Sequence, residues 1–145
     1  RRATRLKFLF RWAPTNARQH LVGHSDTNLC PQCKMEPETQ LHVFCCTATQ
    51  SIATRKNALD ILEDKLVQAA THPDLVTLIL LAVKGEYETL RSMELTDGEG
   101  MAALFDQQSR IGWHLVKYGI LTVAWTKEQD KWSARVHNAT GDTKR

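Results

Sequence analysis

Four potential soft ligands are gathered near the amino end: Cys30-Pro31-Gln32-Cys33, then His42, then Cys46, in the spacing C-x2-C-x8-H-x3-C. Ordinary core packing gives no reason for such a pattern. Three thiolates and an imidazole meet the demand of a tetrahedral structural zinc site, which closes on four protein ligands and keeps no open position for chemistry. The short CxxC loop presents two sulfurs to one point. His42 and Cys46, at i and i+4, are expected to face that point from one helical turn. A closed site of this kind supplies folding free energy of order ~10 kcal/mol to a small lobe.

Cys45 competes with its neighbour for the fourth position. On an ideal helix it lies about 100° round from Cys46, so Cys46 is the expected ligand and Cys45 a small buried residue or weak substitute. His24 reads as a surface histidine of a loop rather than a stand-in ligand. All four cysteines fall between 30 and 46. A disulfide framework would spread its bridges over the fold, so the clustering favours a metal and an intracellular, reducing compartment, nucleus or cytoplasm alike. A redox CxxC would need a strand before it and a helix starting at it. His24-Ser25-Asp26-Thr27-Asn28 is no strand, and two further cysteines crowd the site.

The net charge of +3 conceals a polarity. Residues 1–25 contain Arg1, Arg2, Arg5, Lys7, Arg11 and Arg18 with no Asp or Glu, so the rest of the chain sums to −3. A basic head on a faintly acidic body fits a polyanionic partner, RNA or DNA, with Arg2, Arg5, Lys7, Arg11 and Arg18 as the phosphate contacts. The competing account is a set of solvated helix faces. Trp12, beside Arg11, could stack on a base but serves better as the apolar anchor of its helix.

Apolar spacing predicts helices throughout. Leu6, Leu9, Phe10 and Trp12 mark a cationic amphipathic helix over 3–12, broken by Pro14. Thr15 caps a short helix over 16–22 that Gly23 ends. A loop over 24–41 leads into a long helix from Leu41 toward Ala70, with Ile52, Leu59, Leu62, Leu66 and Ala69 as its stripe. Thr71 is the expected N-cap of the next helix, with Pro73 in its first turn. Leu75 to Val83 is apolar almost all round, and Gly85 interrupts before Glu86 to Met93. Thr96 and Glu99 suit a capping box. The helix that follows carries Met101, Leu104, Phe105, Gln108, Gly112, Leu115 and Val116 on one face and stops at Gly119. A last helix from Thr122 carries Val123, Trp125, Gln129, Trp132 and Val136. Trp113, Trp125 and Trp132 read as packing residues.

The expectation is one all-α domain of 145 residues, with a basic zinc-binding lobe over 1–47, a helical bundle over 48–137 and a flexible tail over 138–145. Its longest apolar run, Leu78 to Val83, is far short of the ~20 residues of a membrane span. No signal peptide is expected at the start, and an Arg rather than a Met at position 1 suggests a segment of a longer polypeptide. Pro73-Asp74 with Glu88, and Glu63-Asp64-Lys65, faintly echo metal-dependent nucleases. Those carboxylates normally converge from a sheet, and none is predicted here. The chain is therefore expected to be non-catalytic.

One stretch, Lys7…Trp12-x-Pro14-Thr15…Cys30-Pro31-x-Cys33…Glu38-Thr39-x-x-His42-x-x-x-Cys46, resembles the zinc-binding region downstream of the reverse transcriptase domain in non-LTR retrotransposon-type proteins. The likeness covers residues 5 to about 47. Phe105-Asp106-Gln107-Gln108, Ile111-Gly112-Trp113, Gly119 and Trp125-x-x-x-Gln129 are similar, less specifically, to segments that follow that region. The resemblance implies zinc on Cys30, Cys33, His42 and Cys46. It also implies attachment to an upstream polymerase domain of the same polypeptide that handles template RNA and target DNA. The ligand spacing is not that of a retroviral zinc knuckle, so knuckle-style base recognition is not implied.

Overall fold

Helices are the only regular elements among the described residues, and a single isolated antiparallel bridge, Leu29 with Pro37, is their only extended pairing. The computed structural model describes residues 13–93 and 98–140. The basic helix expected over 3–12, the Thr96 capping position and residues 141–145 lie outside them. The chain divides into two compact units, one ending at Ile61 and the other beginning at Leu62.

In the first unit, α1 (Asn16–Leu21) starts where expected, but Thr15 makes no side-chain cap. Glu38 takes that role from a distance: its Oε2 accepts the Asn16 amide at 2.6 Å, satisfying one of the orphan donors of the first turn. Asn16 Nδ2 donates to the Leu29 carbonyl at 2.9 Å. Gly23, at φ +75°, ends the segment in a left-handed turn. α2 (Gln40–Cys45) is capped by Thr39, whose hydroxyl accepts the His42 amide at 3.0 Å. The expected continuous helix from 41 to 70 is broken here. Cys46 leaves helical geometry at φ −54°, ψ 128°, and α3 (Thr49–Gln68) begins afresh three residues on. On α3, Leu59, Leu62 and Leu66 are half-buried at helical steps, while Ile52 is exposed, as is Ala69 beyond the helix end.

The second unit carries the apolar core. α4 (Pro73–Lys84) buries Leu75, Val76, Leu78 and Ala82, as its apolar run predicts. Its N-cap is His72 rather than Thr71: His72 Nδ1 accepts the Asp74 amide at 3.0 Å. Gly85 closes it at φ +85°, and α5 (Tyr87–Ser92) follows. α6 (Gly98–Ile111) fully buries Met101, Leu104 and Gln108. The helix expected to continue to Gly119 stops instead at Gly112, where φ is +106° and ψ 128°. Trp113–Tyr118 then forms a 3₁₀ helix that ends on Gly119. α7 (Val123–Thr140) takes in residues 138–140, the first three of the expected tail. It buries Ala124, Trp125 and Glu128 and leaves Val123 exposed. Leu90, Trp113 and Val116 complete the cluster. Trp113 and Trp125 meet edge to face at 6.1 Å, a contact worth about 0.5–1.5 kcal/mol beyond its burial.

Candidate metal centre

The CxxC loop is shaped by backbone hydrogen bonds. The Cys30 amide donates to the Glu36 carbonyl at 2.7 Å, the Glu38 amide to the Asn28 carbonyl at 2.8 Å, and the Lys34 amide to the Cys30 carbonyl at 2.8 Å. These bonds fold residues 28–38 into a tight hairpin with both sulfurs on one side. The reversal places Lys34 at φ +57°, a left-handed conformation that an L side chain enters at a cost. α2 then brings His42 in, and the Cys46 amide donates to the His42 carbonyl at 2.7 Å. The i, i+4 relation therefore holds, with Cys46 at the cap of the helix rather than inside it.

Four side chains converge. The ligand atoms of Cys30, Cys33, His42 and Cys46 all lie within 4.8 Å of one another, and together they could hold a metal ion. Cys30 Sγ is 3.8 Å from Cys46 Sγ, and Cys33 Sγ is 3.4 Å from His42 Nε2. A disulfide would require about 2.05 Å between sulfurs; all four cysteines are free thiols. Cys30, His42 and Cys46 are buried. Cys45 is exposed and points its thiol at the Leu41 carbonyl, 3.4 Å away. His24 is exposed and stands outside the cluster.

The surroundings favour anionic sulfur. At Cys46 the Ser51 hydroxyl, followed by the Ala48 amide, lowers the thiol from 9.0 to about 6. The amides of Met35 and Glu36 lower Cys33. Burial raises Cys30, against the opposing pull of the Cys33 and Gln32 amides. Burial alone would lower His42, but the neighbouring Cys33 and Cys46 sulfurs outweigh it and hold the imidazole above its ordinary value. His42 Nδ1–H donates to Glu36 Oε2 at 3.0 Å, which turns Nε2 toward the sulfurs. A carboxylate behind a ligating histidine fixes its tautomer and orientation.

Glu36 and Ser51 escaped sequence reasoning. Only Glu38-Thr39 gave a signal, through the resemblance, and the structure gives that pair a local physical role: Glu38 satisfies the start of α1 while Thr39 caps the helix that carries His42. Of the five cations expected to contact nucleic acid, Arg18 is half-buried in the last turn of α1. Arg2, Arg5, Lys7 and Arg11 lie outside the described residues. Among the described residues the Cys3His group is the one cluster of three or more metal-competent side chains, and Glu63, Asp74 and Glu88 belong to none.

No helix among the described residues is long and apolar enough to cross a membrane. No family model, no curated protein and no solved structure matches the chain.

Proposed function

We propose that Cys30, Cys33, His42 and Cys46 bind zinc, and that the chain is a zinc-stabilised, non-catalytic module of a reverse-transcriptase or retroelement-type protein that holds RNA or DNA. The zinc assignment rests on a metric observation. With bonds of about 2.3 Å to sulfur and 2.0–2.1 Å to nitrogen, a tetrahedral zinc site has S···S edges of about 3.8 Å and S···N edges of about 3.6 Å. The Cys30–Cys46 sulfur separation of 3.8 Å and the 3.4 Å between the Cys33 sulfur and His42 Nε2 lie close to two of those edges, and all four ligand atoms lie within 4.8 Å of one another. Four protein ligands would leave the ion no reactive position, only the role of a cross-link.

The nucleic-acid assignment is supported by the six cations, unrelieved by any acid, in residues 1–25 immediately ahead of the cluster. Contacts of this kind are independent of base sequence and weaken steeply with salt. Two measurements test the proposal. Protein purified without chelator should contain one zinc per chain. Changing Arg5, Lys7 and Arg11 to Ala should weaken binding to RNA and DNA and flatten its salt dependence; unchanged affinity and slope would overturn it.

A second reading, docking on a polymerase domain, is favoured by apolar side chains standing out on the zinc lobe: Leu21 is 73% exposed, Met35 75% and Leu41 61%. Under that reading, a gel-shift titration at low salt shows no complex with either nucleic acid.

A further inference from the structure

A cavity of about 270 Å³ opens in the second unit among Tyr87, Ser109, Gly112, Trp113 and His114. Its walls are aromatic and arrive from three elements. Trp113, on the 3₁₀ helix, is buried and held on several sides. Its indole N–H donates to Ser109 Oγ of α6 at 2.9 Å, and Phe105 packs on it at 4.9 Å between ring centroids. A ring fixed this way does not have to be ordered when a ligand arrives. Tyr87 of α5 is half-buried, and His114 is exposed.

Gly112 makes the third wall possible. A Cβ there would stand 2.6 Å from His114 Cε1 and 2.8 Å from its Nδ1, so the imidazole can fold back over the chain only because position 112 has no side chain. The lining is more polar than a hydrocarbon slot. Ser109 Oγ accepts the indole proton and so has its own proton to donate, and His114 adds ring nitrogens. Lys117 Nζ, outside the lining itself, lies 5.9 Å from the centroid of Tyr87, which brings a cation beside one lining ring. The space falls just below the ~300–1,000 Å³ of pockets that take drug-sized molecules, and it suits a single planar ring system.

Building on the proposal that the chain engages nucleic acid, we infer that Tyr87, Trp113 and His114 form a slot for one unpaired nucleobase, with Lys117 placed for its phosphate. Aromatic faces accept any base by stacking, and a nearby cation serves the backbone. The flat, heteroatom-edged outline of a base matches the hydroxyl and imidazole edges of the slot better than a plain hydrocarbon ring does.

The full chain carrying its metal, titrated with adenosine 5′-monophosphate, tests this through the Trp113 indole N–H resonance. A saturable shift is expected. The His114→Ala variant, which alters an exposed side chain and so keeps the fold, should weaken it about tenfold, as loss of one stacking partner implies. Lys117→Ala should weaken the monophosphate but not adenosine, and ribose 5-phosphate should leave the indole signal in place. No shift with the monophosphate, or an equal shift with ribose 5-phosphate, overturns the slot. So does tighter binding of N-acetyltryptophanamide, which would mark a pocket for a peptide side chain. An octauridylate titration at low salt separates the two levels. If the octamer binds and the monophosphate does not, the slot alone falls; if the octamer fails to bind, the nucleic-acid proposal falls and takes the slot with it.

Discussion

Lys34 stands where the CxxC hairpin reverses, at φ +57°. A left-handed L-residue costs roughly 1–2 kcal/mol, and glycine gives back about 0.5–1 kcal/mol through the freedom of its unfolded chain. Lys34→Gly is therefore expected to stabilise the lobe by about 0.5–1 kcal/mol, measurable as a raised midpoint in urea with the metal bound. Ser51 acts on the cluster through charge rather than conformation. Its hydroxyl, ahead of the Ala48 amide, brings Cys46 down to about 6. Because the folded value lies below the ordinary 9.0, the stabilisation from the ionised sulfur is complete above pH 9 and fades as pH falls through about 6. Protons compete with metal for the same thiolate. Ser51→Ala removes a bond to the anion and raises the thiol, so metal should be released at a higher pH than from the unaltered protein. A chromogenic chelator followed against pH reads that midpoint, and an unshifted one would show that the hydroxyl has no hold on Cys46. The four ligands were legible in the sequence because thiol chemistry at that spacing has few other uses. Their supports were not: a serine five residues past Cys46 and a glutamate six before His42 look like any surface residues until the backbone brings them beside the ligands.

Helix existence was readable from apolar period, but the breaks were not. The run from Met101 to Val116 keeps one face through Gly112, and nothing in the period marks the change to a 3₁₀ turn. The side chain responsible is Gln108, fully buried in α6. Its Nε2 donates to the carbonyls of Gly112 at 3.2 Å and Ile120 at 3.4 Å. Its Oε1 accepts the Thr122 amide at 3.3 Å and the Trp125 indole at 2.9 Å. One amide thus satisfies three groups of the irregular segment between α6 and α7 and the Trp125 indole of α7 itself, which makes a helix break tolerable inside a core. Gln108→Leu fills similar space and strands those partners. At 1–3 kcal/mol for each group left buried and unpaired, partly relieved by water, the expected loss is about 3–4 kcal/mol in chemical denaturation. A loss under 1 kcal/mol would mean that the amide is not what holds the segment. The break after α2 has a different origin. Cys46 must turn its sulfur inward, and the demand of the cluster overrides the helical preference of the residues around it. Val123 departs alone at the start of α7: it is exposed, whereas Trp125 is buried and Gln129, Trp132 and Val136 are half-buried on the face that the apolar spacing suggests.

The all-helical class was legible at the scale of the whole chain, since runs with a period of two are absent from the sequence. The division into units was not, because Ile61 and Leu62 lie within one unbroken helical pattern. Each unit has its own source of stability: the unit ending at Ile61 gathers around thiols and an imidazole, and the unit from Leu62 has an apolar cluster and, among the described residues, no metal-competent group. Treatment with a strong chelator should therefore abolish the structure of the first while leaving the tryptophan environment of the second native-like. Near-ultraviolet circular dichroism before and after chelation reads this, and loss of the Trp113 and Trp125 signal on metal removal would refute it. Gln129 bears on how the second unit is completed. Its Oε1 accepts the His72 amide at 2.9 Å and its Nε2 donates to the Ala70 carbonyl at 3.0 Å, nearly sixty positions back along the chain. During synthesis, that turn waits on α7, so a ribosome stalled anywhere before codon 129 displays an α4 whose entrance is still unlatched.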